Sequence, residues 1–318
     1  MSAAIKDLTG IIVPGIPHNV PKEFIGGSGS GSDMWKGKMY LLPYFHRGDV
    51  VEGAVENLDT LKRKATDFAV AVDFPDDGRT KDALRRVGVL TDDEIRALST
   101  ALGENGNALE PLIKKLRELA LCGVGVFPVD SAEKRIIDCE ERARKEAKKL
   151  DFGLNLACNI GPFLGWFNYS NARHKLREFM MTQNLREIVR SSTHAVAAVI
   201  DAHHTPAIWK GLKDEIDIET LENQRQEECD IAGLRLWREL VERLLSCSME
   251  KSQENMENSI IAASRLLIYM QLYAIVDSKE IPEDRRACLK RFLVQTPEIK
   301  SMSEANALFD ALKSMFKR

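Results

Sequence analysis

Apolar positions recur three and four residues apart along most of this chain, and that spacing predicts one helix after another. In "LTDDEIRALSTALGEN" Thr91 stands as an N-cap with Glu94 three residues on, a capping box, and Ile95, Leu98 and Leu102 follow at helical intervals. "NALEPLIKKLRELALCG" repeats Leu109, Leu112, Leu116, Leu119 and Leu121 before Gly123 stops it. Ser131 caps a highly charged helix with a thin apolar face, and Gly161-Pro162 marks a break in the apolar "NLACNIGPFLGWFNY". Glu219 to Leu245 reads as strongly amphipathic. Ile260 to Val276 is apolar nearly all round, which predicts a central, buried helix. Its 17 residues, broken by Ser264, Arg265 and Gln271, are too short and too polar for a membrane span. Pro282 opens another helix, and Ser301 with Glu304 caps the last.

Period-two patterning is scarce. "DFAVAVDF" (67–74) and "GVGVFPV" (123–129) are the two strand candidates, and Pro128 in the second limits any sheet to a small edge feature. The expected fold is therefore all-α or nearly so: a two-lobed helical body, with lobes at 33–202 and 203–318.

The N-terminus breaks the pattern. Residues 26–32 are seven consecutive Gly and Ser, a random-coil linker spanning roughly 15 Å. Before it, residues 1–25 combine Pro14, Pro17 and Pro21 with Ile11, Ile12, Val13, Ile16, Val20, Phe24 and Ile25. Prolines favour extended geometry, and an extended apolar segment on a leash has to dock in a groove. Docking on its own body gives a monomer, and docking on a neighbour gives rings or filaments.

Composition narrows the function classes. With 44% hydrophobic and 29% charged residues the 318-residue chain has material for a sizeable core. The N-terminus lacks the basic start and apolar core of a signal peptide. Its six cysteines are widely spaced and form no CxxC pair, so they read as small core residues of a reducing compartment, without zinc or disulfides. Net charge is −3, yet the charge is segregated: residues 170–190 carry a net of +3 and residues 213–230 a net of −6.

Catalytic motifs are missing. "GVGVF" is a lone GxG without a dinucleotide frame, and neither GxxxxGK[ST] nor GxSxG occurs. "DAHHTP" sets Asp201 beside His203 and His204, but no second ligand motif stands at metal spacing. Histidines before a helix-ending Thr-Pro suit a C-terminal dipole role better. The chain is thus expected not to be an enzyme and to use no cofactor or metal. The bases remain. Arg173, Lys175, Arg177, Arg186 and Arg190, with Tyr169 and Phe167 nearby, match what single-stranded RNA uses for phosphate contact and stacking. A break near Thr182–Asn184 would bring Arg177 and Arg186 to one surface.

Ile12-Val13-Pro14-x-Ile16-Pro17-x-Asn19-x-Pro21-x-Glu23-Phe24, then Lys36-x-Lys38 and Leu41-Leu42-Pro43, resembles the N-terminal arm of rhabdovirus nucleoproteins over about 30 residues. The resemblance implies an arm that reaches onto a neighbouring subunit and a two-lobed helical body that clamps RNA. The expected function is then an RNA-encapsidating, coat-like nucleoprotein, located in host cytoplasm and virion. It would bind RNA without sequence preference and assemble with itself through Ile12, Val13, Pro14, Ile16, Pro17 and Phe24. The alternative is a helical adaptor whose groove binds an extended Pro-containing peptide and no nucleic acid. If the Gly/Ser run is a joining linker, residues 1–25 are themselves such a ligand.

Overall fold

A computed structural model describes residues 37–45, 48–64, 67–102, 106–151, 154–225, 227–276 and 281–316. The arm at 1–25, with Ile12, Val13, Pro14, Ile16, Pro17 and Phe24, and the linker at 26–32 lie outside the described residues. The rest divides into two compact units that interleave along the chain. A sheet unit draws on Ile25–Asp138 and Arg173–Gln226, and a helical unit on Cys139–Ala172 and Glu227–Arg318. The expected division at 202/203 falls inside the sheet unit.

The all-α expectation is overturned by the sheet unit, which makes the protein mixed α/β. Five strands, β1 (Lys38–Tyr44), β2 (Phe68–Pro75), β3 (Val126–Asp130), β4 (Ala195–Asp201) and β5 (Asp217–Thr220), form a parallel sheet in the order β3-β2-β4-β1-β5. The two strand candidates are β2 and β3. The sheet is no edge feature, because β2 sits between β3 and β4. Parallel strands covered on both faces show short continuous apolar runs in place of alternation, which is why "AVAAVID" passes for helix. Pro128 does lie on an edge strand. Pro43 is tolerated inside the sheet because β5 pairs only with Lys38–Leu41, so the missing N–H points past the end of β5.

Helices cover both faces. On one, α1 (Gly48–Lys64), α2 (Gly78–Arg85), α3 (Asp92–Leu102) and α4 (Glu110–Leu121) bury Val51, Leu58, Leu84, Ile95, Leu112 and Leu116 against Leu42, Tyr44, Val70, Val72 and Val199. After α5 (Lys134–Ala147) comes α6 (Leu156–Ser191), and α7 (Thr205–Leu212) follows β4. On the other face α6 and α7 bury Met181, Leu185, Val189, Ile208 and Leu212 against Met39, Leu41, Ala71 and Ile200. The Thr91–Glu94 box forms, with Glu94 N–H donating to Thr91 Oγ1 at 3.3 Å and Thr91 N–H to Glu94 Oε2 at 2.8 Å.

The helical unit packs the first half of α6 with α8 (Glu228–Met249), α9 (Gln253–Val276), α10 (Glu283–Gln295) and α11 (Met302–Phe316). Among the described residues, α9 is the one helix long and apolar enough to cross a membrane. Ala262, Ala263, Leu266, Leu267, Leu272 and Val276 of α9 are buried in this unit's core. Gly233 lets α8 approach Tyr269 of α9, whose hydroxyl donates to the Cys229 carbonyl at 2.9 Å. No disulfide joins the cysteines. Cys229 and Cys247 are core residues as expected, whereas Cys122, Cys158 and Cys288 are exposed.

The expected breaks in the 156–191 region do not occur. α6 runs unbroken for 36 residues through both Pro162 and Thr182–Asn184. Tertiary packing of its apolar face overrides the local signals.

Candidate functional site

All four longer strands of the sheet carry a polar residue at or near their carboxyl ends, along the same edge. Tyr44 closes β1, Asp73 lies two residues from the end of β2, Asp130 closes β3 and Asp201 closes β4. From β2 the chain moves outward to β3, and from β4 it moves the opposite way to β5. In doubly wound sheets ligands bind outside the carboxyl ends of the strands, where neighbouring connections diverge, and here that crevice falls between β2 and β4. Asp73 and Asp201 flank it.

Hydrogen bonds tie this edge together. Buried Asp73 accepts from the Tyr44 hydroxyl at 2.6 Å and from the Asp201 backbone N–H at 2.7 Å, linking β1, β2 and β4. Burial, then the Asp73 charge, pushes the Tyr44 hydroxyl well above its ordinary pKa, so it stays a protonated donor. Asp130 accepts from the Ser131 N–H at 2.8 Å and from Arg177 Nε of α6 at 2.8 Å. Burial works against the Arg177 charge, but the carboxylates of Asp130, Asp73 and Asp201 outweigh it and raise its pKa. Arg177 is thus the counter-charge for three carboxylates.

Next to this frame stands His203. Its Nδ1 lies 2.9 Å from Asp201 Oδ1, and its own backbone N–H donates to the same oxygen at 2.8 Å. A carboxylate on Nδ1 fixes the proton there and leaves Nε2 with its lone pair. The His203 side chain is 32% exposed, the Phe45 ring meets it edge-on at 5.7 Å, and solvent can therefore reach the imidazole. An imidazole held in this way can accept a proton at Nε2 and return it.

Two further histidines pack deeper. His204 is buried, with Nδ1 3.6 Å from Glu178 Oε1, and its ring centroid lies 4.9 Å from that of His174. His174 lies 6.1 Å from His203 by the same measure. Burial, followed by the charges of His204, His203, Arg173 and Arg177, holds the His174 pKa well below the ordinary histidine value. Burial alone would raise the Glu178 carboxyl, but His204 and the Lys175 ammonium, 2.7 Å away, outweigh it. Among the described residues no three His, Cys, Asp or Glu side chains are placed to hold one metal ion.

The "DAHHTP" reading needs correction. This stretch ends a strand and starts a helix, so its histidines do not serve a helix C-terminus. The residues singled out for RNA are dispersed. Arg177 faces Asp130 at the sheet edge, while Arg186 makes a two-pronged pair with Glu215 at 2.9 and 3.0 Å. Arg190 reaches the same Glu215 at 2.9 Å and Lys175 pairs with Glu178. Arg173 is partly buried on α6. In the helical unit, Phe167 is 0% exposed against Trp237, and the Arg142 guanidinium lies over the Tyr169 ring at 5.7 Å. Phe167, which has no exposed face, has no room for a base. Tyr44, Asp73 and Asp130 were not among the sequence candidates, although three apolar runs ending in Asp ("AVAVD", "FPVD", "AAVID") carry the signal.

No protein-family model matches this chain, and no curated protein or solved structure is significantly similar to it.

Proposed function

We propose that the sheet unit is a catalytic domain that acts on a small polar substrate held over the β2–β4 edge, with His203 as general acid and base. The observation that carries this reading is the His203 imidazole, locked by Nδ1 on Asp201 beside the point where the strand connections diverge. Asp201 orients the ring and balances the imidazolium formed when Nε2 takes a proton. Asp73 and Tyr44 hold Asp201 in place. The encapsidation reading depended on a stripe of bases with few acids. In the folded chain Lys175, Arg177, Arg186 and Arg190 each face a carboxylate, which weakens that basis.

The test is a panel of chromogenic carboxylic esters, phosphate mono- and diesters and glycosides, run with wild type, His203→Gln and Asp201→Asn. General acid–base catalysis contributes about 10²- to 10⁴-fold, so His203→Gln should lower any turnover at least about 100-fold with the fold intact. Activity unchanged in both variants would refute the assignment. So would a wild type that turns over no member of the panel and is stabilised by no small metabolite.

A further inference from the structure

We infer that the open edge of β5 docks an extended peptide in which Lys or Arg alternates with β-branched or aromatic residues. The residues concerned lie apart from the hydrogen-bond chain that holds His203, so this docking site holds or fails independently of the catalytic reading. β5 is an outer strand and pairs with β1 alone. Its Asp217 N–H donates to the Gly37 carbonyl at 3.1 Å, and the Leu221 N–H just beyond it donates to the Leu41 carbonyl at 2.9 Å. Backbone groups alternate in direction along a strand, so Ile218 and Thr220 turn their N–H and C=O away from β1. A row of outward-facing groups is a template for one more strand.

The two faces beside this edge differ, and the difference sets what the added strand must carry. Ile218 packs on the α6–α7 side, where it joins Trp209, Lys213 and Ile216 around a hollow of about 480 Å³ that reaches Asp217 at the start of the strand. Trp209 is 43% exposed, and the Lys213 ammonium lies 5.0 Å from its ring centre. A cation is thus already in place on this face, and an apolar side chain suits the hollow. By alternation Asp217 and Glu219 point to the other face, with Glu219 paired to Lys38 at 3.1 Å. Exposed Asp214 and Glu222 flank the strand. These acids outnumber Lys38 and Lys213 and favour a basic partner, whereas a second copy of the chain would bring the same acids against them. A strand laid beside β5 therefore places every other residue in the hollow and the residues between against carboxylates.

The probe is a blocked hexapeptide alternating Arg and Val, titrated into the isotope-labelled full chain and followed by NMR and amide exchange. Binding should newly protect the Ile218 and Thr220 N–H groups. Thr220→Pro removes an outward N–H that β1 does not use, so the sheet keeps its bonds while affinity falls about tenfold or more. Asp217→Lys changes an exposed side chain and should shift preference toward a hexapeptide alternating Glu and Val by about fivefold or more. Absence of binding at millimolar peptide would overturn the site, as would equal affinity in Thr220→Pro or for the same Arg and Val residues arranged in two blocks. Protection of Ile218 and Thr220 in the free chain, by a second copy or by another part of the same chain, would also overturn it, because the edge would already be taken.

Discussion

Replacing Arg177 by Met removes the counter-charge of three carboxylates while keeping most of the side-chain volume. Arg177 is 17% exposed and Asp130 8%, with Nε 2.8 Å from Oδ2, so water replaces little of the lost interaction. Two unit charges about 4 Å apart at an effective dielectric constant near 20 attract by about 4 kcal/mol. Breaking a buried pair by removing one partner costs about 3–5 kcal/mol, since the remaining charge stays buried and uncompensated. Arg177→Met should therefore destabilise the sheet unit by about 3–5 kcal/mol at pH 7 in urea denaturation followed by circular dichroism. Asp130→Asn retains an acceptor for the Ser131 N–H and gives up the charge together with the oxygen that accepts from Arg177 Nε, a loss that costs nothing further once Arg177 is gone. If repulsion among Asp73, Asp130 and Asp201 is the cause, Arg177→Met/Asp130→Asn should be more stable than the sum of the singles by about 2 kcal/mol. Additivity within about 0.5 kcal/mol would refute the reasoning, because the two residues would then be independent.

Gly233→Ala places a Cβ 2.5 Å from the Tyr269 hydroxyl oxygen, so the tyrosine must move and leave the Cys229 carbonyl. Overpacking plus the lost bond predicts a cost of about 2–4 kcal/mol in thermal unfolding. Thr91→Ala deletes the hydroxyl that caps the Glu94 N–H and should cost about 1 kcal/mol, with hydrogen exchange rising first at the start of α3.

What the sequence revealed depends on how far apart the interacting residues lie. The Thr91–Glu94 box, the helix opened by Pro282 and the buried 260–276 stretch are set by contacts within four residues, and periodicity reports those directly. A parallel sheet has no such local signature. Its five strands are brought together across intervening helices, and each is only four to eight residues long. Burial on both faces erases the alternation that would mark them. The candidate site shows the same contrast. His203 and Asp201 are neighbours in sequence and attracted attention as a pair, whereas Asp73 lies 128 residues from the backbone group it accepts from. The basic stretch misled for a related reason. Glu215 lies 25 residues from Arg190 in sequence and 2.9 Å from it in space, so a net charge counted over a window overstates what the folded surface offers.

The hydrogen-bond chain at the sheet edge explains why His203 suits acid–base work better than a surface histidine. Tyr44 fixes Asp73, Asp73 fixes the backbone of Asp201, and Asp201 holds the imidazole by both its ring and its own N–H. Each link starts from a residue held at the carboxyl end of the sheet, Tyr44 and Asp73 being buried there, so the ring loses its freedom on folding and none further when substrate binds. When Nε2 takes a proton, the new charge sits against Asp201 with Asp73 behind it. Neither carboxylate has to move to meet it. Preorganised charge of this kind stabilises a developing ion without reorganisation at the moment of reaction. A histidine on a mobile loop has to recruit its carboxylate, and the ordering cost then falls within the reaction step.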